Sequence, residues 1–139
     1  MTKLGGWKSI CARLVLCTAT AISSHAQFTT LYSFCLQSQC PDGEKPRVGL
    51  VQGADGLFYG TTHDGGTIGY VTVFKITAKG TLTTLYSFST SSTDGAFPNR
   101  LVLGTDGSFY GTTSNGGAHN NGTVFKITPG GTLTSVPTA

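Results

Sequence analysis

Charge is scarce in this sequence: only 11% of its 139 residues are Asp, Glu, Lys or Arg. That excludes a highly charged disordered tail, and alongside abundant Gly, Thr and Ser it suits a β-rich extracellular module. Long apolar runs are missing as well. The short stretch at residues 14–22 falls far below the roughly 20 residues that a bilayer-spanning helix needs, so no membrane insertion is expected. No stretch holds a helical period beyond a turn or two, which argues against a helical fold. Catalytic signatures are absent too. There is no nucleophile elbow and no zinc-binding helix, and neither a helix start nor a P-loop lysine follows Gly65-Gly66 or Gly116-Gly117.

The first 26 residues read as an export signal. Lys3, Lys8 and Arg13 precede the apolar stretch, and Ser24-His25-Ala26 puts small residues at the two positions a signal peptidase reads, so cleavage is expected after Ala26. The bulky Leu16 disfavours a lipoprotein signal ending at Cys17. The formal charge of +3 leaves with this segment. Six basic residues (Lys45, Arg47, Lys75, Lys79, Arg100, Lys126) then face six acidic ones (Asp42, Glu44, Asp55, Asp64, Asp94, Asp106). A near-neutral mature chain has no electrostatic footprint for nucleic acid or an anionic membrane, and neither is expected as a partner.

The expected destination is the periplasm, the cell surface or the medium, and the cysteines agree. Cys35 and Cys40 remain as a Cys-x4-Cys pair that an oxidising compartment closes into a disulfide. The spacing is too long for a thioredoxin-like redox site, and further zinc ligands are not nearby. Free thiols are the remaining alternative.

What the chain does contain is a repeat. Residues 50–83 return 51 positions later as residues 101–134, with 22 of 34 positions identical. Such units bury their apolar faces only by stacking on neighbours. Val, Ile, Phe, Tyr and Thr runs between Gly-rich turns place strands near 29–34, 48–52, 57–62, 71–77, 81–88, 100–103, 108–113, 123–128 and 132–136. Asp55-Gly56 and Asp106-Gly107 separate consecutive strands and predict type I′ hairpin turns. Calcium at these turns would need oxygen ligands that the loops lack.

Each repeat is then a four-stranded antiparallel meander of about 51 residues, the size of a propeller blade. Residues 57–59 and 73–76 carry apolar or aromatic side chains on both sides of the pleat, as in a sheet covered on both faces. The expected fold is all-β, with two propeller-like blades in a domain spanning 27–139. An N-terminal strand at 28–34 precedes repeat one, over about 48–88, and repeat two, over about 100–136. A small β-sandwich is the alternative. Phe58, Phe74, Phe109 and Phe125 are the expected core.

FTTLYSF at 28–34, TTLYSF at 83–88, both copies of DG-x-FYGTT-x-x-GG and both of TVFKIT-x-x-GTLT resemble a known tandem repeat. It is that of the GloVer, or choice-of-anchor, family of bacterial exported proteins, and the resemblance covers essentially the whole mature chain. It implies an extracytoplasmic repeat protein that forms a propeller and usually ends in a surface-sorting segment. It implies no established activity and no catalytic residues. The chain differs in having two repeats, in lacking a sorting segment after Ala139, and in reading GTLTSVPTA where LYSF would follow. Two blades cannot close a ring that needs about four to eight. Other copies of the chain, or missing repeats of a longer protein, are therefore the expected partners.

Catalysis is not expected, nor a cofactor or metal. His63 and His119 sit in repeat loops with different neighbours, and Asp42, Asp55, Asp94 and Asp106 precede glycine and read as turn formers. The chain reads as a structural or interaction module. A glycan-binding module is the alternative, with surface glycans as partners of the loops at 63–70 and 114–121, through His63, Asp64, Tyr70, Asn115, His119 and Asn120. A propeller-fold enzyme is the third reading. The two loops present different groups, His63-Asp64 against Ser114-Asn115 and Tyr70 against Asn121, which weakens the idea of a repeated sugar site.

Overall fold

The computed structural model describes residues 27–66, 71–89 and 94–136. The expected signal at 1–26 and Tyr70 lie outside them. Among the described residues all regular structure is β, in two antiparallel sheets. The first sheet is a meander of β1 (Val51–Gln52), β2 (Phe58–Thr61), β3 (Thr72–Ile76) and β4 (Leu82–Ser87), in that spatial order. The second holds β5 (Ala96–Pro98), β6 (Val102–Leu103), β7 (Phe109–Asn115), β8 (Val124–Ile127) and β9 (Leu133–Val136).

β5 and β6 share one edge of β7, so they are two halves of a single first strand. The first sheet has the same break: Glu44 bridges Asp64, and β1 pairs with β2 further on. A proline stands at each break, Pro46 and Pro98, with no N–H to continue a ladder. The residue before each is held at positive φ, 54° at Lys45 and 56° at Phe97. A Cβ disfavours that region, and a following proline disfavours it further. β5 was not among the expected strands, because proline in so short a run reads as a break.

The Asp-Gly turns also differ from expectation. Gly56 and Gly107 take φ of 78° and 75°, while Asp55 and Asp106 are not in the positive-φ region that type I′ requires at both positions. The Gly56 N–H donates to the Gly53 carbonyl (3.0 Å) and the Gly53 N–H to the Leu57 carbonyl (2.9 Å). This is a three-residue loop closed by a left-handed glycine. The Asp55 side chain holds it, accepting the Leu57 N–H at 3.1 Å and the Tyr59 hydroxyl at 2.6 Å.

Residues 28–34 form no strand, since none of the described strands pairs with them. Phe34 instead meets Phe74 edge to face at 5.1 Å.

Cross-strand register sorts the side chains of each sheet into two faces. Tyr59, Thr61, Val73 and Lys75 share the back of the first sheet, and Phe58, Gly60, Phe74 and Ile76 its front. In the second sheet Tyr110, Thr112, Val124 and Lys126 form the back, and Phe109, Gly111, Phe125 and Ile127 the front. The back of the first sheet packs on the front of the second. Tyr59 stacks on Phe109 with centroids 3.9 Å apart, and Val71, Val73, Phe88, Leu101, Phe125 and Ile127 complete the core. Phe74, Phe109 and Phe125 are buried as expected. Phe58 is only half-buried, because among the described residues no second sheet covers the front of the first.

Candidate functional site

Four of the five aspartates that precede glycine, Asp42, Asp55, Asp94 and Asp106, do more than shape turns. Each accepts a tyrosine hydroxyl: Asp42 from Tyr32 (2.8 Å), Asp55 from Tyr59 (2.6 Å), Asp94 from Tyr86 (2.7 Å) and Asp106 from Tyr110 (2.9 Å). Buried tyrosines need such a partner. The glycines matter equally at 43 and 95, where a Cβ would come within 2.5 Å of the Thr62 and Thr113 hydroxyls. There the paired hydroxyls of Thr62 and Thr72 (3.0 Å) and of Thr113 and Thr123 (2.9 Å) pin β2 to β3 and β7 to β8.

These contacts set the electrostatics. Burial, then the hydrogen bond to Asp94, pushes the Tyr86 phenol up to about 12; burial and Asp55 raise Tyr59 further still. The Tyr59 hydroxyl holds the Asp55 carboxyl below the usual range. The Lys126 ammonium, 2.8 Å away, with the Ser108 N–H, holds Asp106 well below it. Lys45 does the same for Asp64 at 2.9 Å. Carboxyls kept ionised in this way are poor proton donors near neutrality.

At the junction of the two units, on the end carrying the loops after β2 and β7, lies a cleft of about 180 Å³. Arg47, Thr61, His63, Phe97, Asn99 and Ser114 line it. The break before Pro98 delivers Phe97, which is 36% exposed, and its ring centroid lies 5.0 Å from that of His63. The Thr61 hydroxyl reaches across the junction to the Asn99 carbonyl at 3.4 Å. His63 Nδ1 lies 3.2 Å from Asp64 Oδ1. The cleft combines an aromatic face with an imidazole, a guanidinium and hydroxyls, a set suited to holding a polar, flat-faced ligand.

Of the side chains expected from sequence, His63 lines the cleft and Asp64 flanks it, tied to Lys45. Asn115 ends β7 opposite Ala96, and its carbonyl accepts the Thr113 hydroxyl at 2.9 Å. Asn120, at a φ of 55°, closes its own loop by accepting the Gly116 N–H at 2.9 Å. His119 is exposed, away from the cleft lining. Arg47, Phe97 and Asn99 were missed; the one available signal was a proline at the same place in both repeats. Cys35 and Cys40 are disulfide-bonded with Cα atoms 4.2 Å apart. Glu44 lies beside them, but bonded sulfurs offer no thiolate to a metal.

Two stacked antiparallel units with shared turns, clasps and breaks define an all-β tandem-repeat protein. The chain belongs to the Gloeobacter/Verrucomicrobia repeat family, whose model matches residues 18–138. No curated protein and no solved structure matches it.

Proposed function

We propose that the chain is exported, loses residues 1–26, and serves as a structural or interaction module built from propeller blades. The observation that carries this reading is that the first sheet has apolar side chains on both faces: Tyr59 and Val73, both 0% exposed, lie under the second unit, while on the front Phe74 is covered by Phe34 and Leu50 is left 44% exposed. That suits a blade enclosed by neighbours better than a sheet with one wet face. The disulfide and the family membership are compatible with an extracellular protein. The test is to express the full chain in a bacterium and analyse it by mass spectrometry. Protein recovered outside the cytoplasm, starting at Gln27 and with Cys35 bonded to Cys40, is expected. An unprocessed chain held in the cytoplasm would refute export.

A second reading, glycan binding, is favoured by one observation: the exposed Phe97 ring beside His63 and Arg47 in the inter-unit cleft. An aromatic face ringed by donors suits a pyranose. On a glycan array the protein should bind a defined subset, and Phe97→Ala should weaken that binding at least about tenfold, the loss of roughly 1.4 kcal/mol. No binding by the unmodified protein would end this reading.

A further inference from the structure

The joint inside the chain is made of unlike faces, the back of one unit on the front of the next. The 51-residue repeat means the chain also carries an unused copy of each face. On the back of the second sheet Val124 is 50% exposed, where its counterpart Val73 is 0% exposed. Thr112 is exposed where Thr61 is buried, and Tyr110 is half-buried where Tyr59 is fully buried. On the front of the first sheet Leu50 is 44% exposed, where its counterpart Leu101 is 2% exposed. An apolar groove of about 320 Å³ runs along that front, walled by Leu31, Leu50, Phe74 and Ile76.

Resting on the blade reading above, we propose that the bare back of one copy docks on the bare front of a second copy, reproducing the internal joint. Tyr110 then stacks on Phe58 of the next copy as Tyr59 does on Phe109, and Val124 enters the apolar groove as Val73 enters the core. Residues 28–34 leave room for this. Phe34 meets Phe74 at 5.1 Å as Phe88 meets Phe125 at 5.4 Å, so the segment occupies the place that the end of β4 takes over the second sheet. Two features make this joint weaker than the internal one. Gly122 stands where Val71 fills the core. Lys126 turns back to Asp106 at 2.8 Å, whereas its counterpart Lys75 crosses to the Pro129 carbonyl at 3.2 Å. Because the contact is heterologous, copies continue head to tail until the rotation closes a ring, which at two blades per copy takes about two to four copies.

Light scattering on the mature, oxidised protein at micromolar concentrations should give a discrete mass of at least two copies. Val124→Asp spoils only the back and Leu50→Asp only the front, so each variant alone should be monomeric with an unchanged far-UV circular dichroism spectrum. Mixed, they should form one-to-one pairs and nothing larger, since only one competent front and one competent back remain. Should Val124→Asp fail to fold, Val102→Asp, at a position 58% exposed on the same back face, takes its place. A monomeric unmodified protein overturns the inference while leaving an exported module intact. So does a mixture that stays monomeric, or an assembly indifferent to both variants.

Discussion

The packing of Phe125 on Gly111 permits a quantitative test of the unit core. A Cβ built on Gly111 would lie 2.5 Å from Phe125 Cζ, and Phe125 is 0% exposed with Phe88 edge-on at 5.4 Å, so its ring has nowhere to withdraw. Gly111→Ala should therefore overpack the core and cost about 1 to 3 kcal/mol. Phe125→Ala should cost about 3 to 5 kcal/mol through the cavity it leaves. In the double variant the new methyl group enters the space the ring vacated, and each change relieves the other. The double variant should be more stable than the sum of the singles predicts, by a coupling of about 1 to 3 kcal/mol. The assay is urea unfolding of all four proteins followed by far-UV circular dichroism, because the sole tryptophan, Trp7, lies within the expected signal. Additivity within about 0.5 kcal/mol, or a neutral Gly111→Ala, would refute the contact.

Acid should weaken the fold in a defined window. The carboxyls of Asp55, Asp64 and Asp106 are held below the ordinary range by Tyr59, Lys45 and Lys126 respectively. Their contribution is complete above roughly pH 5, about one unit over the unfolded-state value, and disappears as pH falls through the folded-state values. Urea midpoints should drop between about pH 5 and 2, and Asp106→Asn should flatten part of that drop; a pH-independent midpoint contradicts the assignment. At the alkaline end the raised phenols of Tyr59 and Tyr86 favour the fold below about pH 10, and that contribution is lost as pH rises through the folded-state values, about 12 for Tyr86. Ultraviolet titration should show tyrosines ionising late, and a single transition near pH 10 for all of them rules this out. Replacing Cys35 and Cys40 together by Ser should cost about 2 kcal/mol on the chain-entropy model. Equal urea midpoints for that variant and the oxidised parent would show that the bridge constrains nothing.

The repeat and most strand positions were legible because they rest on local pattern: FYGTT and TVFKIT alternate and end at glycine-containing turns. Which face of a sheet is covered was not legible. Phe58 and Tyr59 are adjacent and both aromatic, and only the neighbouring unit decides that Tyr59 is the one fully buried. The Asp-Gly turns were misassigned because pair preference alone points to type I′, whereas a tyrosine four residues on captures the aspartate and selects the other loop. The site was half legible. His63 was chosen for its chemistry and does line the cleft, whereas Asn115 and Asn120 were chosen on the same grounds and brace their loops. Phe97 escaped notice because its exposure follows from a left-handed backbone ahead of a proline, a conformation that neither residue type favours.

The paired breaks at Lys45-Pro46 and Phe97-Pro98 separate frame from cargo. The two units share one backbone geometry here, with φ of 54° and 56°, yet the side chain it presents changes from a cation tied to Asp64 to an aromatic ring against His63. The frame is held by ladder hydrogen bonds and a fixed proline ring, none of which involves that side chain. Each unit therefore has one outward position whose side chain differs while the backbone break that presents it is kept, much as a socket accepts different tools. A row of such units would present a row of independently chosen groups along one rim.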